Sequence, residues 1–157
     1  MKIAFIGLGI MGRPIAGHLK TAGHAITVVE RKSLTAEDRA AFAVAPDGKT
    51  ATAGADAVII MVPDTPDVEA VLFGASGVAE GLKPGTLVID MSSISPTATK
   101  EFAAKIAAKG CDYLDAPVIR ITTADTPAAY APTLMEAFLP NPARVIKAVR
   151  EVMYVNK

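Results

Sequence analysis

The chain has 157 residues, 51% hydrophobic and 20% charged, a balance that suits one compact domain with at most an extra arm and excludes a disordered chain. Its 16 Lys and Arg offset 16 Asp and Glu, so no net field draws nucleic acid or an anionic membrane surface. The single cysteine, Cys111, excludes an internal disulfide and a paired-cysteine metal site, and no apolar stretch approaches the ~20 residues of a membrane helix; the expectation is a cytoplasmic protein.

Ile3 to Ile6 reads as a buried strand, and Gly7-Leu8-Gly9-Ile10-Met11-Gly12 follows at once, matching G-x-G-x-x-G. In that pattern the first glycine makes the turn, the second lets backbone approach a pyrophosphate, and the third lets a helix pack closely on the strand. The alternative is a glycine-rich turn that serves packing alone. Met11, Ile15 and Leu19 recur every four residues, giving a helix one apolar face, and Gly23 closes it. Pro14 suits its first turn, where a proline gives up an N–H without a helical partner. Ile26 to Val29 make a second strand with Glu30 at its end, where a carboxylate accepts hydrogen bonds from ribose hydroxyls.

Ser33 to Ala41 is a short helix capped by Ser33 or Thr35, Phe42 to Ala45 a brief strand, Pro46-Asp47-Gly48 a turn, and Thr50 to Ala55 one turn of helix. Ala57 to Val62 is continuously apolar, as a strand covered on both faces must be. After Pro63-Asp64, a helix capped by Thr65 or Asp67 runs through Leu72, and 74–85 reads as loop. Thr86 to Met91 is another buried strand. Ser95 caps a helix to about Lys109 with Pro96 at its first position, and Asp112 to Ala116 is a last short strand. This rhythm means an α/β fold, a doubly wound parallel sheet of Rossmann type in the order 3-2-1-4-5-6 with right-handed crossovers. From Ile119 the texture changes: Pro127, Pro132, Pro140 and Pro142 separate short helical pieces, and the apolar stripe of a final helix over 142–155 can dock on the sheet or on a second copy of the chain.

Ligands of such sheets lie beyond the carboxyl ends of the strands, where the order reverses. There the glycine loop meets Val62-Pro63 and the hydroxyls of Ser92 and Ser93, which can serve an amide or a substrate carboxylate; a strand stop and a capped turn explain the same residues without a ligand. His18 and His24 have no ligand-forming neighbours in sequence and read as surface or packing residues, and Cys111 as a small buried one.

Phe5 to Pro14, Met61-Val62-Pro63-Asp64, Ile89 to Pro96 and Asp112 to Val118 together resemble the β-hydroxyacid dehydrogenases, the family of 3-hydroxyisobutyrate and 6-phosphogluconate dehydrogenases. The stretch from Met61 to Val118 is similar to its tartronate semialdehyde reductase (2-hydroxy-3-oxopropionate reductase) branch. The resemblance implies an oxidoreductase that moves hydride between a nicotinamide dinucleotide and a small hydroxy acid or semialdehyde. The cofactor then contacts Gly7, Leu8, Gly9, Ile10, Met11, Gly12, Glu30, Arg31, Val62, Pro63, Asp67 and Ser93, and Ser92 and Ser93 face substrate. Glu30 argues for NAD, because its charge repels a 2′-phosphate, while Arg31-Lys32 keeps NADP open.

The chain also departs from the family. Ile119-Arg120-Ile121 stands where relatives carry a Ser-Gly-Gly loop, and the family's Lys-x-x-x-Asn helix, source of the catalytic lysine, is missing; Lys147 is followed by Glu151 at the asparagine's place. Arg120 can hold a carboxylate but cannot act as an acid. The expectation is a cofactor domain over 1–118, a divergent tail over 119–157 produced by a frameshift, truncation or fusion, no catalytic residue, and no turnover by this chain alone. A non-catalytic dinucleotide-binding module and a partner-binding protein, self-associating through its last helix, are the alternatives.

Overall fold

The structure is a computed structural model, and residues 1–118 of it are described. Met1–Ala116 forms one compact unit. Its strands are β1 (Lys2–Ile6), β2 (Ala25–Val29), β3 (Ala43–Ala45), β4 (Ala57–Ile60), β5 (Leu87–Asp90) and β6 (Asp112–Asp115). Its helices are α1 (Gly12–Thr21), α2 (Ala36–Ala41), α3 (Gly48–Thr52), α4 (Thr65–Phe73), α5 (Val78–Gly81) and α6 (Pro96–Ala107). All strands run parallel in the order β3-β2-β1-β4-β5-β6, as the strand–helix rhythm predicts. The predicted final helix over 142–155 lies outside the described residues.

The apolar runs become the central strands. Phe5 of β1 stands opposite Val28 on one side and Ile59 on the other, and all four residues of β4 are buried. Alternation then sorts side chains to the two faces. Ile3 and Phe5 join Ala16, Ile26, Val28 and Phe42 in one cluster, while Ala4 and Ile6 join Val58, Ile60, Val68, Leu72, Phe102 and Ile106 in the other. The deepest contacts of α1 come from Gly12 and Ala16, with Ile15 and Leu19 half-buried beside them. The helix ends in a Schellman motif, Gly23 N–H donating to Lys20 O and His24 N–H to Leu19 O.

Four local readings change. The segment 74–85 contains α5, whose Val78 is fully buried. The helix expected over 50–55 starts at Gly48, because Asp47 Oδ1 accepts the Thr50 N–H and caps it. Asp64 caps α4 by accepting the Thr65 N–H, in place of Thr65 or Asp67. Ser95 stands at the start of α6 without a side-chain cap; its N–H donates to Thr65 Oγ1 at 3.1 Å. No helix among the described residues is long and apolar enough to cross a membrane.

Candidate functional site

At the carboxyl ends of β1, β2 and β4 lies a cavity of about 530 Å³. Its wall takes in the whole of Gly7–Gly12, then Arg31, Ser33 and Leu34 after β2, Met61-Val62-Pro63 after β4, and Val71 of α4. Nine of the residues singled out in the sequence meet here: Gly7, Leu8, Gly9, Ile10, Met11, Gly12, Arg31, Val62 and Pro63. Glu30, Asp67, Ser92 and Ser93 are not part of this wall. Ser33, Leu34 and Val71 were not singled out. Ser33 and Leu34 were legible only as a helix entry, and Val71 only as a helix residue.

The three glycines answer to different constraints. Gly7 has φ +108°, and a Cβ there would stand 2.0 Å from the Met61 carbonyl oxygen. At Gly12 a Cβ would stand 1.9 Å from Gly7 O and 3.1 Å from the Phe5 ring. Packing therefore accounts for both. Gly9 is exposed, its φ is not in the left-handed range, and a Cβ there would meet nothing within 4 Å. Nothing in the fold requires a glycine at this position, so a turn that serves packing alone leaves it unexplained. Beside it, α1 has Met11 at its N-cap position with no side-chain cap and no acid in its first turn, whereas Thr35, Asp47 and Asp64 cap the next three helices. An uncapped helix N-terminus beside an open glycine is an anion seat. These residues fit the pyrophosphate of a dinucleotide.

Two ion pairs from α2 flank this seat. Asp38 receives Arg13 bidentately, Nε at 2.8 Å and Nη2 at 2.9 Å, and also closes a capping box with Thr35. The Arg13 hydrogen bonds hold the Asp38 carboxyl at about 2, well below its ordinary range. Next door, Arg39 donates to both oxygens of Glu30, which lowers the Glu30 carboxyl from its usual value.

On the opposite rim, Asp90 is fully buried at the end of β5. Its Oδ1 accepts the Ser92 N–H at 2.9 Å and its Oδ2 the Tyr113 hydroxyl at 2.6 Å. Burial, then the hydrogen bond to Asp90, pushes the Tyr113 phenol far up, so it remains a donor. Burial, then Asp90, raises the Asp115 carboxyl. Ser92 is buried and its Oγ accepts the Val62 N–H at 3.1 Å, while Ser93 is exposed. Among the described lining residues, Arg31 carries the sole ionisable side chain. The described wall can bind and orient an anion, and its side chains include no carboxyl, histidine or lysine that could act as a general acid.

Comparison with known proteins agrees with this geometry. Over 119 residues the chain is 47% identical to 2-hydroxy-3-oxopropionate reductase of Escherichia coli K12, covering 75% of this chain and 41% of the relative. The solved structure of Mycobacterium tuberculosis 3-hydroxyisobutyrate dehydrogenase with L-serine is 37% identical, with a TM-score of 0.69, covering 76% of this chain and 40% of that one. The uncharacterized oxidoreductase YfjR of Bacillus subtilis aligns over 155 residues at 36% identity, 98% of this chain and 52% of the relative. The chain thus spans about half or less of the length of these relatives. The family match itself extends over residues 2–151. With that match, the chain belongs to the family described as the NAD binding domain of 6-phosphogluconate dehydrogenase.

Proposed function

We propose that the cavity is the cofactor site of a β-hydroxyacid dehydrogenase. Gly9 and the start of α1 take the pyrophosphate, Arg31 and Ser33 the adenosine ribose, and Val62, Pro63 and Ser93 the nicotinamide end. Gly9 is the observation that carries the reading: the fold has no use for a glycine there, and a ligand backed against the loop does. Once bound, a nicotinamide supplies or accepts hydride. The chain's own residues hold it in place. Ser92, fixed between Asp90 and Val62, sets the rim on which the exposed Ser93 hydroxyl stands, and Asp67 lies exposed in the first turn of α4.

The substrate we propose is a small 3-hydroxy or 3-oxo acid, with tartronate semialdehyde (2-hydroxy-3-oxopropionate) first to be tried. The identity to a reductase of that compound supports this choice. Reduction of a carbonyl requires a general acid, which the described lining residues do not include, so for this chain alone we propose binding without turnover. The reading places residues 1–118 as the cofactor domain of a cytoplasmic protein that self-associates through the apolar stripe of 142–155. Sedimentation tests that association.

A thermal titration with NAD, NADH, NADP and NADPH tests the site. A ligand at 100 times its Kd stabilises by about 2.7 kcal/mol, a rise of several degrees in melting temperature. No shift with any of the four overturns the reading.

A further inference from the structure

We infer that Arg39 decides which dinucleotide the cavity accepts, by tying the Glu30 carboxylate away from the ribose. The inference rests on the cofactor-binding reading above and deepens it. An acid at the end of the second strand ordinarily selects NAD, because it accepts the ribose hydroxyls and repels a 2′-phosphate. In this chain that acid is already engaged. Arg39 of α2 donates Nη1 to Oε2 and Nη2 to Oε1 of Glu30, the second bond at 2.7 Å. Two-point pairing fixes the direction of the carboxylate and cancels its charge.

The placement of the neighbours points the same way. Glu30 is not part of the described cavity wall, whereas Arg31 and Ser33 are. Arg13, beside the loop, is bound to Asp38, so among the described residues Arg31 is the cation of the cavity wall. A guanidinium beside a hydroxyl suits a phosphate monoester. The ribose end of the cavity therefore accepts NADP despite carrying the acid that should exclude it.

Both partners of the Glu30–Arg39 pair are 44% exposed, and a pair of that exposure adds little to stability. Loss of Arg39 should then alter ligand choice far more than folding, which a merely structural role would not do. Calorimetric titration of the full 157-residue chain with NADPH and NADH reads this out for wild type, Arg39→Gln and the double variant Glu30→Gln/Arg39→Gln. The wild type should bind NADPH at least as tightly as NADH. Arg39→Gln, with Glu30 released and charged, should weaken NADPH about tenfold without weakening NADH. The double variant should regain NADPH binding.

If Arg39 were itself a ligand of the phosphate, the double variant would stay as weak as the single one, and the inference would be overturned. An unchanged NADPH-to-NADH ratio in Arg39→Gln, or a wild type that strongly prefers NADH, overturns it as well while leaving the cofactor site intact. Wild type that binds neither nucleotide overturns the cofactor reading and the inference together.

Discussion

Gly9→Ala and Gly12→Ala separate what the glycine loop does for the fold from what it does for a ligand. At Gly12 the new Cβ would lie 1.9 Å from Gly7 O, more than 1 Å inside any tolerated approach, and the obstacle is backbone that cannot rotate away. Strand β1 and helix α1 must part to admit it. Overpacking of this kind costs about 1–3 kcal/mol or more, which lowers the melting temperature by about 2–12 °C in a chain of this size. At Gly9 the Cβ meets nothing within 4 Å, and the backbone there is open to any residue. Replacing glycine by alanine at such a site stabilises by about 0.4–1 kcal/mol, because the unfolded chain loses freedom. The melting temperature should rise by about 2–4 °C, while dinucleotide affinity falls at least about tenfold as the methyl occupies the pyrophosphate's approach. The chain has no tryptophan, so calorimetry serves better than protein fluorescence to follow binding. A Gly9→Ala protein that melts higher and binds NAD(H) or NADP(H) as tightly as wild type would refute the assignment of this loop to the ligand.

Three further outcomes follow from the interior. Asp38 titrates at about 2 in the folded chain, below its unfolded value of about 3.9; its contribution is complete above the unfolded value and is lost as pH falls toward 2. Asp38→Asn should therefore cost about 1–2 kcal/mol at neutral pH and flatten the acid limb of the urea midpoint between pH 4 and pH 2; an unchanged limb would remove Asp38 as its cause. Leu72→Ala, at a fully buried position of α4, should cost about 2–5 kcal/mol in urea unfolding, through lost transfer energy and the cavity left behind. Tyr113→Phe deletes the hydroxyl that donates to the buried Asp90, leaving a carboxylate oxygen without that donor, and should cost about 1–3 kcal/mol in the same measurement.

The sheet was legible because its strands obey one simple demand. A parallel strand covered on both faces must be apolar throughout, and Ala57 to Ile60 and Ile3 to Ile6 are. Glycine punctuation then placed the turns. Helix α5 was hidden because four residues between Gly77 and Leu82 give too short a window for a period to show. Asp64, Thr65 and Asp67 are all competent caps within one turn, and the choice of Asp64 depends on backbone direction rather than composition. The pairs Arg13–Asp38 and Glu30–Arg39 join elements that only tertiary folding brings together. For the same reason the sequence could place Glu30 at the end of its strand but not show that its charge is already engaged. Ser92 and Ser93 are chemically identical neighbours, and the register of β5 decides that the first turns inward to Val62 while the second stays exposed.

Asp90 shows why a buried carboxylate is retained at such a place. An unpaired charge in a core is costly, yet here each oxygen has a donor, from the Ser92 N–H and from Tyr113. The return is the geometry of the rim. Through Ser92 the group reaches the Val62 N–H, and a second link from the Ser95 N–H to Thr65 Oγ1 ties the same two loops again. The loops after β4 and β5 are thus stapled twice before any ligand arrives, while the described glycine loop on the facing wall is held through its backbone, as in the Arg13 N–H to Gly9 O bond. Ordering a rim on binding subtracts from affinity, and a rim already ordered does not. The Val62 side of the cavity is thus set in advance while its wall at Gly9 stays open, and on the reading proposed above cofactor choice falls to the ribose end, where Arg31 and Ser33 line the wall and Arg39 holds Glu30 outside it.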